Sequence, residues 1–385
     1  MMNQRPLLIL YFVVATELIG FGLVIPILPQ IGLQFASSNL MLSGLVAAYS
    51  ASQFIASPVL GALSDRYGRK PVLVASKIGS LLGYLLFGFS TNFTMMLVSR
   101  LLDGFTGGNI STARAYVADV TSEADRPKGM AVIGMAFGTG FILGPALGGV
   151  LYNVGNMGHL VPGLVAAFLS LLATIITILF LKEPPIRRSH RLELKPMLHA
   201  ICHPLVGVML ACQGVFMMMF SAFESTFSVF TFQQFGLTEQ QNSTLFLYIG
   251  LLSLVIQGGI VRRAPQKLGT ITAIGMGITG LAFAGLYMAP SPMALLGSLA
   301  VLALGVGLVN AYLPAWVSTR APEQSRGAMM GVFEGIGSGA RVVGPFIGFV
   351  SVLSPLSGGF GPFAWICLGL AIVLGGIAFK GGKRD

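Results

Sequence analysis

The chain has 385 residues, 54% hydrophobic and 9% charged, with a formal net charge of +10. Soluble domains carry about 25% charged residues, so a water-soluble globule of this composition is excluded. The basic residues sit in short clusters between apolar runs, which also excludes the continuous basic face of a nucleic-acid binder.

Apolar runs separated by polar or turn-rich breaks predict twelve spans, at 7–29, 41–62, 72–90, 93–117, 131–153, 161–181, 205–234, 243–261, 270–289, 292–317, 328–351 and 361–379. The first run carries Glu17 and lacks a small-residue cleavage site, so it reads as a span and not a signal peptide. Arg66, Arg69, Lys70, Arg126, Lys128, the group Lys182 to Lys195, Arg262, Arg263, Lys267, Arg320, Arg326, Lys380, Lys383 and Arg384 fall in loops or ends on one side. By the positive-inside rule that side, with both termini, is cytoplasmic.

The longest polar stretch runs from Lys182 to Pro204. Shifting the chain by about 200 residues pairs Arg126 with Arg326, Gly144-Pro145 with Gly344-Pro345, and Gly148 with Gly348. The expected architecture is therefore an all-α integral membrane fold of twelve helices. Two pseudo-symmetric six-helix halves, 1–181 and 205–385, are joined by a cytoplasmic linker at 182–204.

Charges inside apolar spans cost about 2.5 to 3.5 kcal/mol each on insertion scales and mark function by default. Seven stand out: Glu17, Arg100, Asp103, Arg114, Glu224, Glu334 and Arg341. At about 100° per residue Arg100, Asp103, Ser111 and Arg114 fall within one arc of the fourth helix, which must look inward to protein or water, and Glu334 and Arg341, seven apart, nearly share a face. Glu17 and Glu224, each in the first span of its half, read as approximate repeat partners. The seventh span carries Phe216, Phe220, Phe223, Phe227 and Phe230, of which half or more are expected to face lipid and the rest to wall a cavity. Cys202, Cys212 and Cys367, and His159, His190, His199 and His203, show no metal or disulfide spacing. There is no phosphate-binding loop for ATP.

The stretch Gly61-Ala62-Leu63-Ser64-Asp65-Arg66-Tyr67-Gly68-Arg69-Lys70-Pro71 closely resembles the signature loop of the major facilitator superfamily. Gly140-Phe141-Ile142-Leu143-Gly144-Pro145-Ala146-Leu147-Gly148-Gly149 resembles the motif of its antiporters, with Ala131 where the family has an earlier glycine. The end of the first span, Gly20 to Pro29, and Arg100, Asp103 and Gly104 are similar to drug/proton antiporters of the tetracycline-efflux and multidrug type.

The resemblance implies proton-driven efflux of small amphipathic molecules by alternating access, with no enzymatic activity. It implies proton coupling by Glu17, Asp103 and Glu224, the last resembling an acid of the seventh helix in relatives, while Asn310 stands where some relatives keep a second acid. Arg100, Arg114, Asn310, Glu334, Arg341, Phe220, Phe223 and Phe227 would line the substrate cavity. The gate would comprise Gly61, Asp65, Arg66, Gly68, Arg69 and Asp119, with Gly140, Gly144, Pro145, Gly148 and Gly149. No cofactor beyond the proton gradient, no metal and no nucleic acid are expected. The partners are a small-molecule substrate, protons and lipid, in a monomer of the cytoplasmic (inner) membrane. The rival of the same fold is an uptake permease, or a carrier of lipids or anionic solutes that meet Arg114 and Arg341.

Overall fold

The computed structural model describes residues 4–24, 27, 39–152, 154, 157–184, 204–237, 239–261, 267–321, 325–353 and 360–381. Cys202, His190, His199, His203, Arg262, Arg263, Lys383, Arg384, most of the linker and most of the segment from Ile25 to Pro29 lie outside the described residues.

The regular structure described is all helical, as expected where each backbone group must find its partner within its own segment. The N-terminal set comprises α1 (Gln4–Val24), α2 (Asn39–Tyr67), α3 (Arg69–Gly88), α4 (Phe93–Gly107), α5 (Asn109–Val120), α6 (Arg126–Tyr152) and α7 (Leu160–Phe180). The C-terminal set comprises α8 (Pro204–Phe235), α9 (Glu239–Val255), α10 (Leu268–Met288), α11 (Pro292–Arg320), α12 (Arg326–Leu353) and α13 (Gly361–Gly381). A π-helical turn, Ile256–Ile260, extends α9. Two starts are capped by side chains that accept from the third residue on, Asn92 from the Met95 amide and Ser291 from the Ala294 amide.

Among the described residues eight helices, α1, α3, α6, α7, α8, α10, α11 and α13, are long and apolar enough to cross a membrane, and the chain is a multi-pass membrane protein. Thr244–Gly259, within α9 and its π-helical extension, is a shorter apolar helix among the described residues.

The fourth expected span is two helices, broken at Gly107-Gly108. A β-carbon at Gly107 would lie 3.1 Å from the Tyr49 ring and 3.3 Å from Glu17 Oε1, so the chain breaks where only glycine fits. Arg100 and Asp103 on α4 and Ser111 and Arg114 on α5 are all buried.

Within each set the paired helices pack alike. Gly144 of α6 faces Gly22 and the Ile19 carbonyl of α1, and Gly344 of α12 faces Ser221, Ala222 and the Met218 carbonyl of α8. This register offsets the repeats by about 200 residues and aligns Glu17 with Met217. Glu224 lies seven residues, about 10 Å of helix, further along. The two carboxylates are not repeat partners.

A β-carbon at Gly144 would lie 2.6 Å from the Gly22 Cα. Gly144→Val should cost about 1–3 kcal/mol by overpacking. Thermal unfolding in detergent should show a lowered Tm.

Candidate functional site

Glu17, on α1, is fully buried with its carboxylate saturated. Lys77 Nζ of α3 donates to Oε2 at 2.7 Å, Asn109 Nδ2 of α5 at 3.2 Å, and Ser80 Oγ to Oε1 at 3.2 Å. Lys77 also reaches Thr16 Oγ1, and Ser170 donates to the Lys77 carbonyl. Lys77 is an eighth ionisable residue inside the spans that the sequence reading passed over. A plain count of charges across 72–90 would have found it.

Arg100 and Asp103 form a pair 3.2 Å apart within α4, at 1% and 0% exposure. The Arg100 guanidinium lies 5.0 Å from the Phe87 ring centroid. Both this pair and Glu17–Lys77 close within the N-terminal set.

Arg114 and Glu334 pair across the sets. Nε of Arg114 on α5 meets Oε1 of Glu334 on α12, and Nη1 reaches the Asn310 carbonyl of α11 at 3.4 Å. One turn of α12 beyond, Ser338 donates to Gln53 Oε1 of α2 at 2.8 Å, and Arg341 Nη2 donates to the same oxygen at 3.2 Å. Gln53 in turn donates to the Gly107 carbonyl at 3.0 Å, at the break of the fourth span. Glu334 and Arg341, expected on one face, thus address two different partners.

Glu224 and Arg341 are both partly exposed, unlike the six other charges. No ion pair holds Glu224 among the described residues, and Arg341 is the charged group acting on it. Three residues earlier, Ser221 Oγ donates to the Arg341 carbonyl at 3.3 Å. Of the aromatic wall, Phe216, Phe223 and Phe227 are buried instead of facing lipid. Phe223 packs on Phe227, Phe283 and Phe360, with centroids 4.9, 6.0 and 5.6 Å away, and belongs to the core. Phe220 is partly buried and stacks toward Phe216.

At the end of the bundle that carries the basic residues the two sets are fastened. Asp65 closes α2 and accepts from the first amides of α12, Gly327 at 2.8 Å and Ala328 at 2.7 Å, an anion seated on a helix N-terminus. Arg69 holds Asp65 at 2.7 Å and Asp119 at 2.8 Å, and Asp119 also meets Arg326 of α12 at 3.0 Å. Gly61 lies against Gly327 and Gly331 so closely that a β-carbon would stand 3.0 Å from the Gly331 Cα. Arg66 stays outside this cluster, exposed, with its guanidinium 5.1 Å from the Tyr67 ring.

A further member had no motif to announce it. Glu183, just past α7, accepts from the Arg69 and Lys70 amides at 2.6 and 2.8 Å, capping α3. Tyr116 donates to the neighbouring Lys182 carbonyl at 2.6 Å. Gly68 turns between α2 and α3 with φ 104°, and a β-carbon there would lie 2.6 Å from Glu183.

The contact between α2 and α12 continues inward from Asp65 through Ser57 and Gly331 to Gln53 and Arg341. Twelve residues of α2 span about 18 Å, over half of a hydrocarbon core about 30 Å thick. A second seam joins α6 to α9, where Gly138 faces the Gly250 carbonyl and Gly134 meets Gln257 in the π-helical turn. The antiporter-like segment divides its work. Gly140 packs on Leu18 and Gly144 on Gly22, both in α1, and Gly148 is buried, while the surroundings of Pro145 and Gly149 lie outside the described residues.

A family model described as Major Facilitator Superfamily matches residues 10–345. Multidrug resistance protein 2 of Bacillus subtilis (strain 168) is 32% identical over 345 residues, covering 86% of this chain and 84% of the relative. Tetracycline resistance protein, class B, of Escherichia coli is 28% identical over 352 residues, covering 86% and 84%. The crystal structure of the human organic anion transporter MFSD10 (TETRAN) superposes with a TM-score of 0.85 at 24% identity, covering 96% of this chain and 99% of that one.

Two outcomes follow from this geometry. Lys77→Met leaves a buried carboxylate uncompensated and should cost about 3–5 kcal/mol. Adding Glu17→Gln should restore most of it, measured as a double-mutant cycle on thermal unfolding. In a background without native cysteines, Ser57→Cys sits buried in the α2–α12 seam. Adding Asp65→Asn or Glu183→Gln removes charge-assisted bonds of about 1.5–3 kcal/mol and should raise its labelling by membrane-impermeant maleimide about tenfold or more. Unchanged labelling would remove these carboxylates from the latch.

Proposed function

The chain belongs to the major facilitator superfamily, and from that premise we propose that it exports small amphipathic molecules from the cytoplasm in exchange for protons. The basic end is read as cytoplasmic by the positive-inside rule, so the structure represents the state shut toward the cytoplasm. Two halves, 1–181 and 205–385, tilt about the midplane, breaking the contacts that cross between them and keeping those within each.

Glu224 carries the reading. It is a carboxyl group inside a span, partly exposed, with no ion-pair partner among the described residues. Glu17 and Asp103 are each held by a cation of their own half and stay compensated whichever way the halves tilt. Of the three carboxylates assigned to proton coupling, Glu224 is the one free to exchange. In the outward state it takes a proton, and in the inward state it gives the proton up to make room for ligand, so that proton and ligand alternate on one group. The multidrug and tetracycline resistance proteins it resembles supply the substrate class.

Reconstituted into proteoliposomes, the parent should show proton flux on adding members of a panel of lipophilic cations, zwitterions and acids. Glu224→Gln, which mimics the protonated side chain, should abolish that flux and weaken ligand binding. Undiminished, gradient-independent transport by the variant would identify a facilitator instead.

A further inference from the structure

Eight ionisable side chains lie inside the described spans, and accessibility divides them. Glu17, Lys77, Arg100, Asp103, Arg114 and Glu334 are at most 5% exposed, and each is in an ion pair. Glu224 and Arg341 are the two left partly exposed, without a charged partner among the described residues. They are opposite in sign and sit on adjoining helices, α8 and α12, about a turn apart through Ser221. The Arg341 guanidinium spends Nη2 on two neutral oxygens, Gln53 Oε1 and Ser338 Oγ, each at 3.2 Å, and its Nε has no hydrogen-bond partner. A guanidinium carries five donors and keeps its charge at every working pH.

We propose that the ligand is a zwitterionic amphipath, whose acidic group binds Arg341 and whose basic nitrogen binds Glu224. This rests on the reading of Glu224 as the proton-exchange group. If proton and ligand compete for that carboxylate, the ligand must bring it a cation. A bare cation seated there meets Arg341 about a turn away as a like charge, whereas an acidic group on the same ligand turns that repulsion into a bidentate attraction. An acid without a basic nitrogen would neutralise Arg341 but require Glu224 to stay protonated, and would then travel with the proton instead of against it.

The charge balance makes the exchange electrogenic. With the zwitterion bound, the ligand's two charges and those of Arg341 and Glu224 sum to zero. With the proton bound they sum to one positive charge, so an inside-negative potential drives the return.

Three probes of one skeleton test this. Nα-dansyl-lysine is a fluorescent zwitterion whose ammonium and carboxylate are separated by the lysine side chain, its methyl ester is a cation, and its Nε-acetyl derivative is an anion. In proteoliposomes with a proton gradient the parent should exchange the zwitterion at least about tenfold faster than either derivative, a difference of about 1.4 kcal/mol. An inside-negative potential should accelerate it. Arg341→Gln should bring the zwitterion down to the rate of the ester, and Arg341→Lys should retain part of the preference.

An ester exchanged as fast as the zwitterion by the parent would overturn the inference and leave proton exchange standing. So would proton-coupled movement of ethidium with none of the three probes carried. Transport of the acetyl derivative together with protons would overturn the exchange reading itself. The parent panel decides even if Arg341→Gln does not fold.

Discussion

A charge carried into hydrocarbon has to be neutralised by the protein that carries it there, and the way this chain arranges that neutralisation decides which contacts can change. Glu17–Lys77 joins α1 to α3, and Arg100–Asp103 closes within α4. Both fix the N-terminal set as a unit. Arg114–Glu334 joins α5 to α12 and cannot survive separation of the sets. Removing either member of an internal pair is a stability event, whereas the crossing pair is a term in the conformational equilibrium.

The latch at the basic end obeys the same division. Asp65 and Arg326 cross between the sets, but the groups that aim them are local. Arg69 holds both Asp65 and Asp119, and Glu183 fixes the backbone from which Arg69 springs. The amides that receive Asp65 are the unpaired first donors of α12, present in any helix and made useful here because Gly327 and Gly331 let α2 approach within backbone contact. Arg66 shows the limit of reading by motif. Next to Asp65 in sequence, it points outward over Tyr67, since on a helix only residues three or four apart share a face.

The helical class, most of the spans and the loop that fastens α2 to α12 were legible in the sequence because hydropathy and the glycine-acid-basic loop are local signals. The antiporter-like glycines were legible for the same reason, and they pack as small residues should. What escaped depended on helix-to-helix geometry. The break at Gly108 divided the fourth span into two helices, and the packing register of Gly144 and Gly344 separated Glu17 from Glu224. Phe223 and Phe227 face their own helix set because α8 is long and buries that side against α10 and the start of α13. Lys77 was visible as a residue, but its meaning required Glu17 beside it. Glu183 and Gln53 carry no motif, and their roles come wholly from what the fold places next to them.

Gln53 ties Arg341 to the seam. One amide touches the break in the fourth span through the Gly107 carbonyl, and accepts from both Ser338 and Arg341 of the opposite set. A ligand acid that engages Arg341 competes with the Gln53 oxygen for the same guanidinium, so binding weakens a contact that holds α2 to α12. By linkage, whatever loosens that contact must favour the ligand by the same factor. Asp65 and Gln53 lie about 18 Å apart along one helix, α2, and both contact α12, so a tilt that separates α2 from α12 releases both. Occupancy and closure are then two readings of a single seam.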